Sequence, residues 1–138
     1  MCLILDTNLY NLFLQPDNSD MKPVKDWVDK DGKIAWSPTG KMKRELDRSP
    51  RMRTRFEEYR RDGKLKLYPP GDVEWERKRL PKLHSDDPDI IALARITGVN
   101  LLVSGDKDLH TDFKQLHGQR KIYQTRNHID LLRNNRCP

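Results

Sequence analysis

Apolar residues along this chain fall into short dense runs separated by longer amphipathic stretches. Cys2-Leu3-Ile4-Leu5 is a continuous apolar run that stops at Asp6, the pattern of a strand buried on both faces. Asp6 or Thr7 can cap a helix running to about Leu14, with Leu9, Leu12 and Phe13 facing inward. A second helix is predicted over 21–30, with Val24, Trp27 and Val28 on one face, then a turn at Asp31-Gly32 and a strand over 33–36. Ser37-Pro38-Thr39-Gly40 opens a helix containing Met42 and Leu46, which Ser49-Pro50 breaks. A basic helix follows over 51–61, then a strand over 65–68 stopped by Pro69-Pro70, and a weakly patterned helix over 72–80. Asp87-Pro88 places an N-cap acid before an N1 proline, and Gly98 ends that helix. An apolar strand over 100–104 leads to Gly105-Asp106. A helix over 108–116, a strand over 121–123 and a helix over 127–133 complete the chain.

Strands alternating with helices predict an α/β fold with a central, mainly parallel sheet, and no linker or repeat divides residues 1–138. In such folds, sites lie outside the carboxyl ends of the strands. Asp6 and Asp106 both fall there.

Composition adds a charge pattern. The net charge is +6, with eleven basic and five acidic residues from Lys41 to Lys66, and six basic and one acidic from Lys114 to Pro138. Between them, Leu67 to Phe113 carries six basic and nine acidic residues. The basic parts would attract a polyanion and the acidic part would need cations; solvated helix faces give the same pattern. No apolar run approaches the roughly 20 residues of a membrane span, and no signal peptide is evident, so a cytoplasmic protein is expected. Cys2 is then expected as a buried small hydrophobe and Cys137 as a free tail thiol.

The acids carry the candidate chemistry. Asp6 and Asp106 end two strands, Asp86, Asp87 and Asp89 start the helix leading into the second of these, and Glu45 lies on a middle helix. Clustered carboxylates raise one another's pKa unless a cation neutralises them. Mg²⁺ or Mn²⁺ is the natural partner for an all-oxygen site, where it activates a water against a phosphate. Each acid also has a plainer reading. Asp6 and Asp87 can cap helices, Glu45 can pair with Lys41 or Arg48, and Asp108 and Asp112 read as exposed helix residues.

The segments LILDTN at 3–8, REL at 44–46, SDDPDIIALA at 85–94 and LLVSGDKDL at 101–109 resemble the PIN-domain nucleases over nearly the whole chain. The resemblance implies a three-layer PIN-like fold with Asp6, Glu45, Asp87 and Asp106 as catalytic and metal-holding acids. The family's spacing before Ile91-Ala92 falls on Pro88, so the third acid is Asp87 or Asp89, and Asp108 is a supporting candidate. RNA is the implied substrate, cut by a metal-activated water to leave 5′-phosphate and 3′-hydroxyl ends. Thr7, Asn8, Ser104, Lys41, Arg44, Arg51, Arg53 and Arg55 are the candidate substrate contacts, although Thr7 and Ser104 fit capping or strand-end bonding equally well. Many members of the family are toxins of toxin–antitoxin pairs and dimerise, so an antitoxin protein and a second copy are implied partners. A catalytically inactive PIN-like module binding RNA or protein is the alternative.

Other motifs fail on particular residues. A haloacid-dehalogenase phosphatase needs Asp-x-Asp, and Asn8 stands at the third position. A calcium loop from Asp106 would have Thr111 at its glycine position and His117 at its glutamate position. A phosphate loop at Gly40-Lys41 has Met42 where Ser or Thr belongs. The histidines lack zinc spacing. Trp27, Trp36 and Trp75 read as core residues.

Overall fold

The computed structural model describes residues 2–118 and 121–133. Strand β1 (Cys2–Leu5) is followed by a 3₁₀ turn (Thr7–Leu9), α1 (Tyr10–Leu14), α2 (Lys22–Lys30) and β2 (Lys33–Trp36). Next come α3 (Gly40–Asp47), α4 (Pro50–Arg61), β3 (Leu65–Leu67), α5 (Pro70–Arg77) and α6 (Pro88–Thr97). The chain continues through β4 (Leu101–Val103), α7 (Lys107–Asp112), a π-helical turn (Phe113–His117), β5 (Lys121–Tyr123), a 3₁₀ turn (Arg126–His128) and α8 (Asp130–Arg133).

The five strands form one sheet in the order β3-β2-β1-β4-β5, with every pairing parallel. The predicted three-layer α/β fold is what the structure shows, with a sheet that is wholly rather than mainly parallel. Right-handed crossovers put the β1–β2 and β2–β3 connections on one face of the sheet and the β3–β4 and β4–β5 connections on the other. One layer joins α1 to α2 and α4, and α3 to α4; the other joins α5 to α6, and α6 to the Phe113–His117 turn. The order reverses direction between β1 and β4. Such a switch point opens a crevice at the carboxyl ends of the two strands.

Burial explains the apolar runs. All of β1 and β4 is buried, as are Ile34, Ala35 and Trp36 of β2. Under one face, Phe56 meets Tyr10 and Trp36 edge to face, each with centroids 5.7 Å apart. Gly98, the C-cap of α6, sits at φ 71°, a left-handed conformation that glycine adopts without Cβ strain.

Several expectations change. The weakly patterned helix over 72–80 instead spans Pro70–Arg77, with proline at its N-terminus where a missing N–H costs nothing. Trp75 is 59% exposed, with the Arg79 guanidinium 4.3 Å from its ring centre, so it is not core. The helix after Asp106 widens into the π turn, and the last helix divides into a 3₁₀ turn and α8. Asp112 is buried rather than exposed. Cys2 is buried and disulfide-bonded, against the expectation of an isolated small hydrophobe; Cys137 lies outside the described residues.

Candidate functional site

Register brings the first acid to the switch point. Leu5 pairs with Val103, and the Asp6 N–H donates to the Val103 carbonyl at 2.9 Å, so Asp6 stands beside Ser104 as both strands end. Asp6 is fully buried. The Ser104 hydroxyl donates to Asp6 Oδ2 at 2.7 Å, and the Asn8 N–H donates to Oδ1 at 3.4 Å. Burial pushes the Asp6 carboxyl up to about 6, and the negative charges of Asp87 and Asp106 act in the same direction. The hydrogen bonds from Ser104 and Asn8 oppose them only in part.

Ser104 ties two acids together. Its Oγ also accepts from the Asp106 N–H at 3.0 Å, while its carbonyl lies 2.6 Å from His110 Nε2. Asp106 is the N-cap of α7, its Oδ1 accepting from the N–H groups of Asp108 (2.9 Å) and Leu109 (3.3 Å). The Asp108 residue itself is exposed.

Asp87 occupies the N-cap position of α6 but makes no side-chain cap bond. Its Oδ1 lies 3.4 Å from Lys41 Nζ, which is 4.0 Å from Glu45 Oε1. One ammonium from α3 therefore stands between the acids of two elements. Burial raises the Asp87 pKa; Lys41 opposes the shift, and Asp106 and Asp86 add to it. Asp89 is engaged elsewhere. Its Oδ2 accepts from the Thr39 hydroxyl and its Oδ1 lies 3.5 Å from Arg77 Nε. Of the two candidates for the third acid, Asp87 is the one that interacts with Asp6 and Asp106.

The candidate substrate contacts divide. Thr7, Asn8 and Arg51 line a 420 Å³ cleft with Tyr10, Glu45 and Arg48. Lys41 and Arg44 line a second cleft, of 370 Å³, with Arg77 and Asp89. Arg53 instead lies 3.7 Å from Asp47, beside the groove at Trp36 and Phe56. Arg55 lies 3.4 Å from Glu58 and packs over Tyr59.

Sequence reasoning missed four contributors. Asp112 accepts from the N–H groups of His84 (3.0 Å) and Ser85 (2.8 Å), which anchors the loop that carries Asp86 and Asp87. Thr39 fixes Asp89, and nothing in the local sequence announces this contact across 50 residues. Arg48 and Tyr10 line the same cleft as Asn8; the REL motif at 44–46, ending two residues before Arg48, was the available signal.

The donor set is all carboxylate, which suits a hard divalent cation in type. Among the described residues, however, no three His, Cys, Asp or Glu side chains stand close enough as arranged to hold a metal ion. No protein-family model, curated protein or solved structure matches this chain.

Proposed function

We propose that this chain is a metal-dependent endoribonuclease that hydrolyses RNA phosphodiesters with an activated water. One observation carries the reading. Asp6, Asp87 and Asp106 come from three separate elements yet interact repulsively at the carboxyl ends of β1 and β4. Buried like charges lower stability, and carboxyls that burial raises at a crevice, as it does Asp6 and Asp87, are a mark of function. Asp87 in particular has no capping bond that would explain it.

In this reading Asp6, Glu45, Asp87 and Asp106 would have to draw closer than their present spacing to hold Mg²⁺ or Mn²⁺, and Asp89 and Asp108 would not take part. A bound divalent ion would supply a lowered water pKa and charge neutralisation at the phosphate. The chain's own residues do the rest. Asp6, whose carboxyl burial raises to about 6 in the metal-free protein, can with Asp87 take the proton lost by the attacking water. Lys41, Arg44 and Arg51 neutralise the phosphates of the strand. The water oxygen bonds to phosphorus, the bond to the 3′ oxygen breaks, and that oxygen takes up a proton. The products are 5′-phosphate and 3′-hydroxyl ends.

A second reading, a non-catalytic RNA- or protein-binding module, is favoured by the Lys41–Asp87 ion pair and by the absence of a closed ligand set among the described residues. The resemblance to PIN nucleases also suggests a cytoplasmic toxin with an antitoxin protein and a second copy as partners. No described helix is long and apolar enough to cross a membrane. Incubating the protein with a mixed RNA pool separates the two readings. Cleavage with Mn²⁺ or Mg²⁺ that stops on chelation supports the nuclease; binding without turnover under any divalent ion supports the module.

A further inference from the structure

The 420 Å³ cleft beside the acids has features that the carboxylate site does not use. One wall is Thr7, Asn8, Tyr10, Asn11 and Leu14; the other is Glu45 and the α3–α4 corner, Arg48 to Arg51. Arg48, the C-cap of α3, and Arg51 of α4 are exposed and make no ion pair among the described residues, whereas Arg53 and Arg55 of α4 are both paired. The first turn of α4, capped by Ser49, adds a helix N-terminus. Tyr10 is 3% exposed, yet among the described residues its hydroxyl proton finds no acceptor. The indole N–H of Trp36 lies beside its oxygen and acts on it as a hydrogen-bond donor, which leaves the phenol proton itself without an acceptor. Burial and the charges of Glu45 and Asp6 keep this phenol protonated, so it is a donor.

We infer that this cleft binds a phosphate group of a nucleic-acid strand, with Arg48 and Arg51 as its cations and the Tyr10 hydroxyl as its buried donor. A buried donor without an acceptor is costly in a folded protein, and an anionic oxygen is the acceptor that two free guanidinium groups would bring to it. Glu45 is the opposing charge in the cleft, and Lys41, 4.0 Å away, offsets it. The inference rests on the nuclease reading and deepens it: the cleft shares Glu45 and Arg51 with that reading and adds Arg48 and Tyr10 as a strand contact beside Asp6.

The test is phosphate binding in the presence of EDTA, where cleavage plays no part. Inorganic phosphate should raise the Tm of the wild-type chain more than sodium chloride of equal ionic strength. Tyr10→Phe should raise the Tm without phosphate, because it removes a buried hydroxyl whose proton has no acceptor, and should abolish most of the phosphate-dependent rise. Arg48→Gln should leave the starting Tm unchanged and also abolish the rise, while Arg53→Gln should keep it. Binding of an RNA hexamer should weaken about tenfold in Arg48→Gln, the loss expected for one charge-assisted contact. Tighter binding of the 5′-phosphorylated hexamer assigns the cleft to a terminal phosphate; equal binding of phosphorylated and hydroxyl-ended hexamers assigns it to an internal phosphodiester. Unchanged phosphate response and hexamer affinity in both Tyr10→Phe and Arg48→Gln would overturn the inference even if the wild type cleaves RNA. Phosphate binding without cleavage would leave the cleft standing and remove the nuclease.

Discussion

Replacing Asp6 with Asn separates a structural carboxylate from a functional one. The side chain is fully buried, and its pKa is raised from 3.8 to about 6. Between these values the folded state binds the proton and the unfolded state does not, so stability falls as pH rises through this window. Above pH about 6 the full cost of the charge is present, about 3 kcal/mol from the size of the shift. Asn removes the charge at constant size. It accepts from Ser104 less strongly than a carboxylate does, which returns about 1 kcal/mol. A net gain of about 2 kcal/mol follows at pH 8, and a Tm rise of about 7 °C for a chain of this length. At pH 4 the wild-type carboxyl is largely protonated and most of the gain disappears. Thermal melts of both proteins at pH 4 and pH 8 measure this directly, alongside cleavage assays that should show no activity for Asp6→Asn. A variant less stable than wild type at pH 8 would refute the reasoning, because it would make Asp6 a net stabilising cap.

Other changes probe neighbouring links. Ser104→Ala removes the main bond that lowers the Asp6 pKa, so in EDTA the upper end of the pH window in which stability falls should move above 6, with about 1–3 kcal/mol lost in urea melts. Asp87→Asn should abolish cleavage with the fold intact, whereas Asp89→Asn should retain cleavage and lose about 1–3 kcal/mol by loosening Thr39 and Arg77. For Asp112, burial acts to raise the pKa, but the hydrogen bonds from the Ser85 and His84 region outweigh it and hold the pKa low. Its contribution is therefore complete above the unfolded carboxylate range and is lost as pH falls through the folded value; Asp112→Ala should flatten that part of the stability–pH curve. Arg51→Gln should reduce the salt dependence of RNA binding by about 0.7 in logarithmic slope, while Arg53→Gln, tied to Asp47, should leave the slope unchanged in the same titration.

The fold was readable where one residue type dominates a short segment. The β1 and β4 runs are apolar on both faces because both faces are buried, and Pro50, Pro88 and Gly98 mark ends that their backbone chemistry dictates. Trp75 was misread because composition reports a tendency to bury aromatics, whereas the side on which α5 presents this ring depends on packing against α6. The candidate site was legible to the extent that strand ends position its acids, which covers where Asp6, Asp106 and the start of α6 lie. The choice between Asp87 and Asp89 was not legible, since both flank Pro88. It turns on contacts made across the fold, Lys41 to one and Thr39 to the other. The pairing of Arg53 and Arg55 with nearby acids was likewise hidden in a run that reads simply as basic.

The most direct measurement is cleavage of a mixed RNA pool by the wild type, Asp6→Asn and Asp106→Asn, each with Mn²⁺, with Mg²⁺ and with excess EDTA. The account predicts cleavage by the wild type with either ion, none in EDTA, and none by either variant while both melt cooperatively. Undiminished cleavage in EDTA, or by both variants, would contradict it.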